Sequence, residues 1–146
     1  MNEELINRTK VAFASSFAFM LKAWNYHWNV EGINFPQYHD FFGDLYEEVQ
    51  DNIDKLAEHI RAIDAYAPGT FERLKQLSSI PDDNAIPPAL IMCQKLAEAN
   101  DKVLEDLTFA YEEAESQKAY GLSNYLQDRI EAHRKHRWML NSIQKG

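Results

Sequence analysis

Residues 27–66, HWNVEGINFPQYHDFFGDLYEEVQDNIDKLAEHIRAIDAY, hold the pattern that decides the fold. At about 100° per residue, Leu45, Val49, Ile53, Leu56, Ile60 and Ile63 fall on one face, and Asp40, Asp44, Glu47, Asp51, Asp54 and Glu58 on the opposite one. One apolar and one acidic face, sustained from about Tyr38 to Tyr66, predict a long amphipathic helix. Pro36 with Gln37 opens it, and Pro68-Gly69 predicts its end.

Reading outward, the chain is helical on both sides. A first helix is expected from about Glu3 to Asn29, apolar nearly all round through Phe13, Phe17, Met20, Leu21 and Trp24, so neighbours must cover it on several sides. Residues 30–36 are a short connector. Beyond Pro68-Gly69, Thr70 is placed to cap a short helix from Phe71 to Leu77, which leads to a loop around Pro81-Asp82-Asp83-Asn84. A third long helix starts near Pro87-Pro88, because proline is tolerated in a first turn. Its apolar and small residues, Leu90, Cys93, Ala97, Leu104, Leu107, Tyr111 and Ala114, recur at near-heptad spacing. Gly121 breaks the chain, Ser123 can cap, and a fourth long helix runs from about Asn124 to Ile143. The fold class is all-α: a four-helix bundle of ferritin-like type, with a short extra helix in the connection between the second and third long helices.

The opening stretch also carries metal-ligand chemistry. His27 and His39 stand twelve positions apart, Asp54 follows fifteen beyond His39, and Glu58 four beyond that. Imidazole nitrogen with carboxylate oxygen suits a divalent first-row metal such as iron, zinc or manganese. Asp54 and Glu58, at i and i+4, share a helix face. If His39 and Asp54 lie on one helix, roughly 22 Å of axial rise separates them, and no one ion reaches both within one chain. If the four form one site, two copies must build it, histidines from one and carboxylates from the other. A two-fold dimer then holds two equivalent sites. His59 points about 100° away from Glu58 and reads as a surface or interface residue. His133 and His136, among Arg134, Lys135 and Arg137, read as a basic cluster suited to a helix C-terminus and unsuited to a cation.

The run His27-Trp28-Asn29-Val30-Glu31-Gly32-Ile33-Asn34-Phe35, the later His39, the Asp54-x-x-x-Glu58 pair and Trp138-Met139-Leu140 resemble the Dps miniferritins over nearly the whole chain. The resemblance implies a hollow dodecamer that oxidises ferrous iron with peroxide, or more slowly oxygen, at mono- or di-iron sites shared between two-fold partners. It implies that ferric mineral is stored inside, protecting against oxidative stress, with His27, His39, Asp54 and Glu58 as ligands. It also implies that Trp28 and Trp138 lie near the iron, where they can act as one-electron donors. The acidic face of the second helix would then line the cavity, with Asp40, Asp44, Glu47 and Asp51 as nucleation sites. Two departures stand out. The family's further acid, four residues after the second histidine, is Gly43 here, beside Asp44. Where the family often lines its three-fold iron pore with acids, this chain has Tyr120 and Asn124, with Glu115 and Asp128 nearby.

A chain of 146 residues with 45% apolar content is expected to form one domain with a substantial core. A net charge of −8 argues against nucleic acid or anionic membrane as a default partner. Cys93, the single cysteine, falls in a helical apolar pattern and reads as a buried thiol in a reducing compartment. The apolar run from Val11 to Leu21 could pass for a signal peptide, but Glu3 and Glu4 precede it, Lys22 interrupts it, and it is too short to span a membrane. The expected location is the cytoplasm. Two other functions compete. A di-iron centre within one bundle needs Glu-x-x-His pairs, and no glutamate stands three residues before any histidine. A non-catalytic DNA-condensing protein needs a concentrated basic patch. The N-terminus reads Met1-Asn2-Glu3-Glu4, and only Arg134-Lys135-Arg137 offers such a patch, so tight DNA binding is not expected.

Overall fold

A computed structural model describes residues 3–146. Met1 and Asn2, the start of the acidic N-terminal stretch, lie outside the described residues. Five helices follow in order: α1 Glu3–Asn29, α2 Phe35–Ala62, α3 Phe71–Leu77, α4 Ala89–Ser116 and α5 Tyr120–Ile143. The four long ones form a ferritin-like bundle, with the short α3 between α2 and α4. α1 packs against both α2 and α4, and α4 against α5. The bounds of α1 and α3 agree with the periodicity, and Thr70 caps α3 by accepting from the Arg73 amide at 3.2 Å.

The helix ends differ where a stop signal is not glycine. α2 ends at Ala62, four residues before the expected Tyr66, because Asp64 turns into the left-handed region at φ 66°. The Asp64 amide then reaches the Arg61 carbonyl and the Ala65 amide reaches that of Ile60, the paired bonds of a Schellman stop. α4 closes in the same way at Lys118, φ 59°, with bonds from Lys118 to Glu115 and from Ala119 to Ala114. α5 begins at Tyr120 and not at Asn124, since Ser123 does not cap. Its buried hydroxyl donates to Glu115 Oε1 at 2.8 Å, tying α5 to the end of α4.

On α2 the apolar stripe is buried at Leu45, Val49, Leu56 and Ile60, while all six acids of the opposite face are exposed. On α4 the inward stripe is Met92, Leu96, Val103, Leu107, Ala110 and Ala114. The expected Leu90, in the first turn, is half exposed. Cys93 is fully buried, and burial pushes its thiol up to about 11. The α2–α4 connection is pinned to the bundle at Ser79. Its hydroxyl donates to Asp106 at 2.6 Å, and its amide donates to Ser15 Oγ at 3.0 Å. No helix among the described residues is long and apolar enough to cross a membrane.

Candidate functional site

The α1–α2 corner brings His27 and His39 together. Val30 closes α1 by donating to the Tyr26 carbonyl, and Gly32 at φ 119° turns the chain so that α2 starts alongside. The two rings stack with centroids 3.8 Å apart and 14° between planes. His27 Nδ1 lies 2.6 Å from the His39 carbonyl oxygen, and His39 Nδ1 lies 2.6 Å from the His27 carbonyl oxygen. A carbonyl only accepts, so both Nδ1 atoms donate, and the lone pair of each ring in its neutral form lies at Nε2. That is the usual outer arrangement of metal-binding histidines, with a backbone carbonyl fixing the tautomer. Phe35 stacks on His39, and Tyr46 sits 5.6 Å from His27 with Trp24 and Trp28 beyond it.

Gly43 makes this pairing possible. It is buried under the His27 ring, and a Cβ there would lie 3.0 Å from both Nδ1 and Cε1 of that ring. The place where the resemblance implies a further carboxylate is therefore filled by His27 itself. In a Gly43→Ala variant, the better helix former gains about 1 kcal/mol, offsetting the low end of an overpacking cost of about 1–3 kcal/mol. The fold should hold while the His27 ring is pushed off. Titration with a divalent metal should show affinity falling by roughly tenfold or more, as when a supporting contact of a ligand is lost. Unchanged affinity would mean that Gly43 does not position His27.

Asp54 and Glu58 do not join this pair within the subunit. Both are exposed on the acidic face of α2, with no side-chain hydrogen bond or ion pair among the described residues. Because α2 is continuous from Phe35 to Ala62, His39 and Asp54 are held about 22 Å apart along its axis. His59 is half-buried and packs on Tyr125, with ring centroids 4.9 Å apart.

A second group differs from the sequence reading. His133 and His136 are not part of the exposed basic cluster. They are 0% and 3% exposed and point into the bundle, while Arg134, Lys135 and Arg137 face outward. With Glu48 of α2 they form a set whose ligand atoms all lie within 4.8 Å of one another, and such a set could hold a metal ion. The absence of Glu-x-x-His gave no hint of it, because the carboxylate comes from another helix. A signal was present all the same: Leu122, Leu126, Arg129, His133, His136 and Leu140 recur every four or three residues, which is a core stripe. Arg129, 5% exposed, forks onto Glu48 at 2.6 and 3.0 Å. His133 Nδ1 donates to Asn100 Oδ1 at 2.7 Å, and Phe19 lies against both imidazoles.

Burial holds the His136 imidazole down to about 4 from an ordinary 6.5, and lowers that of His133 well below the same value. Both are neutral in the fold and take up a proton on unfolding. The unfolded chain therefore binds more protons between about pH 4 and 6.5, and stability is complete above 6.5 and falls as the pH drops through that window. His136 alone accounts for roughly 3 kcal/mol of the loss by pH 4. Urea midpoints from pH 7.5 to 4.5 should decline accordingly. A midpoint that rose on acidification would contradict the assignment.

The ferritin-like domain family matches residues 7–145. A DNA protection during starvation protein of Brevibacillus brevis is 30% identical, over 95% of this chain and 91% of its own length. An uncharacterized low temperature-induced protein of Nostoc sp. is 27% identical, over 97% and 80%. The crystal structure of a Dps protein from Vibrio cholerae O1 superposes with a TM-score of 0.92 at 26% identity, covering 97% of this chain and 89% of that one. With that match along almost its whole length, the chain is a member of the Dps family within the ferritin-like superfamily.

Proposed function

We propose that this protein is a ferroxidase and iron store, with His27 and His39 of one subunit and Asp54 and Glu58 of a two-fold partner binding the ferrous ions that are its substrate. The observation that supports this most is the histidine pair, whose protons are committed to backbone carbonyls and whose Nε2 lone pairs remain for metal. Two neutral imidazoles and two carboxylates bind iron while allowing it to leave. The rigid α2 supports a shared site, since one subunit holds the nitrogen half far from the oxygen half.

Each ferrous ion gives up one electron, and two electrons with two protons reduce one hydrogen peroxide to two waters, so paired oxidation consumes peroxide without releasing a radical. Trp28, 55% exposed, packs on Trp24, Trp24 stacks on Tyr46, and Tyr46 lies 5.6 Å from His27, so these rings offer a path to return a stray electron. The acids of α2 would face a water-filled cavity and gather the ferric product for storage. The assembly is a homo-oligomer, a dodecamer by the family's pattern, and the protein works in the cytoplasm. Crystals soaked anaerobically in ferrous iron should show it bound by His27 and His39 with the partner's Asp54 and Glu58. Iron bound elsewhere and absent from the histidine pair would refute the reading, as would a monomer at micromolar concentration in sedimentation.

The competing role in DNA condensation fits less well. Twelve copies at −8 each would carry about −96 of formal charge, against one exposed cluster at Arg134, Lys135 and Arg137. No submicromolar binding to linear duplex is expected at physiological salt with a chelator present. A gel shift under those conditions would overturn this.

A further inference from the structure

We propose that Arg129 fills the bundle-centre metal seat with its own guanidinium, so that Glu48, His133 and His136, which have the donor chemistry of a divalent-metal site, stay closed to metal in this chain. The inference stands apart from the interface reading above and uses none of its residues.

The three donors alone look like a site. Two imidazoles and a carboxylate from facing helices, with ligand atoms within 4.8 Å, are what iron, zinc or cobalt would take. What decides the matter is where each lone pair is directed. The guanidinium Nη1 donates to Glu48 Oε2 at 2.6 Å and Nη2 to Oε1 at 3.0 Å. Asn52 donates to Oε2 at 3.1 Å. His136 Nε2 lies 3.3 Å from Oε1, and a neutral imidazole facing a carboxylate presents its N–H. His133 gives its Nδ1 proton to Asn100, so its remaining lone pair is at Nε2, and Arg129 Nη2 approaches that atom at 3.4 Å. Hydrogens already occupy the carboxylate oxygens and the His133 lone pair. The free nitrogen of His136 is Nδ1, buried with no hydrogen-bond partner among the described residues and on the other edge of the ring from Glu48.

Charge points the same way. Glu48 and Arg129 cancel, which is how a buried ion pair is tolerated. Adding a divalent ion beside Arg129 would set three positive charges against one negative, next to an arginine and two histidines that are all buried. Expelling Arg129 would mean moving a side chain that is 6% exposed and bound at both ends of its fork. Arginine cannot escape by losing its proton. The seat holds a permanent, covalently attached monocation, and iron oxidation is kept out of the bundle centre.

The test uses the assembled protein and Co2+, with the ion located by its anomalous diffraction in soaked crystals. Wild type should show no peak among Glu48, His133 and His136. Arg129→Ala should show one there, and Co2+ binding per subunit should gain a component at least roughly 100-fold tighter than anything wild type shows at that place, as expected when an adjacent like charge is removed. That component should vanish in Arg129→Ala with His136→Gln. Arg129→Ala should fold, since Glu48 is left with a third of its side chain in water. Arg129→Gln, neutral and closer in size, carries the same expectation should the alanine variant fail to assemble. A wild-type peak at these three residues would overturn the proposal. So would a well-folded variant in which the seat stays empty. Peaks at the interface histidines bear only on the proposed ferroxidase site, so the two readings fail separately.

Discussion

Co-assembly of two inactive variants should restore about a quarter of the iron-oxidising sites. His27→Ala/His39→Ala removes the nitrogen half of the proposed site, and Asp54→Ala/Glu58→Ala removes the oxygen half. Loss of a supporting contact to a ligand costs about 10–100-fold, so loss of two ligands should slow ferrous oxidation by at least roughly 100-fold in each variant. The bundle should survive both, because Asp54 and Glu58 are exposed and the two histidines lie at the outer corner of α1 and α2. With random pairing, half of the two-fold dimers are mixed. Each mixed dimer carries one site with both halves wild type and one with neither, so a quarter of sites should return. Stopped-flow oxidation of ferrous iron by the mixed cages reads this directly. Mixed cages that assemble normally yet remain as slow as either parent would rule out a shared site.

Truncating Glu48 should produce the largest single loss of stability. Glu48→Ala leaves the Arg129 guanidinium buried without its counter-charge, and breaking one side of a buried pair costs about 3–5 kcal/mol. For a chain of this size each kcal/mol moves the melting temperature by about 2–4 °C, so a fall of roughly 10 °C is expected. Replacing both partners by apolar residues of similar size, Glu48→Leu with Arg129→Met, should recover most of it, because no charge is then stranded. Calorimetry on variants at matched concentration separates this from changes in assembly. A Glu48→Ala protein that melts with wild type would show that water reaches the guanidinium and that the pair is not a core element.

The long helices were legible in the sequence because their information is local. The spacing of Leu45, Val49, Leu56 and Ile60 against six acids can only be satisfied by one helix with a wet face and a dry one. The Thr70 cap and the Pro88 boundary are equally local. The ends at Asp64 and Lys118 were not legible, since a left-handed stop without glycine leaves little mark on composition. The sequence also determined that His39 can meet Asp54 and Glu58 only by way of a second copy, because axial rise along a helix is a fixed length. Tertiary structure alone decided three things. It placed the His27 ring over Gly43, so that the absence of a side chain there became room for an imidazole. It turned His133 and His136 inward, where a run of basic neighbours suggested solvent. And it carried Glu48 across the bundle to meet Arg129, a contact between residues 81 positions apart that no local period encodes. Charge and spacing along one helix state what that helix can present. Which donors meet, and which cation already sits among them, depends on how the helices pack.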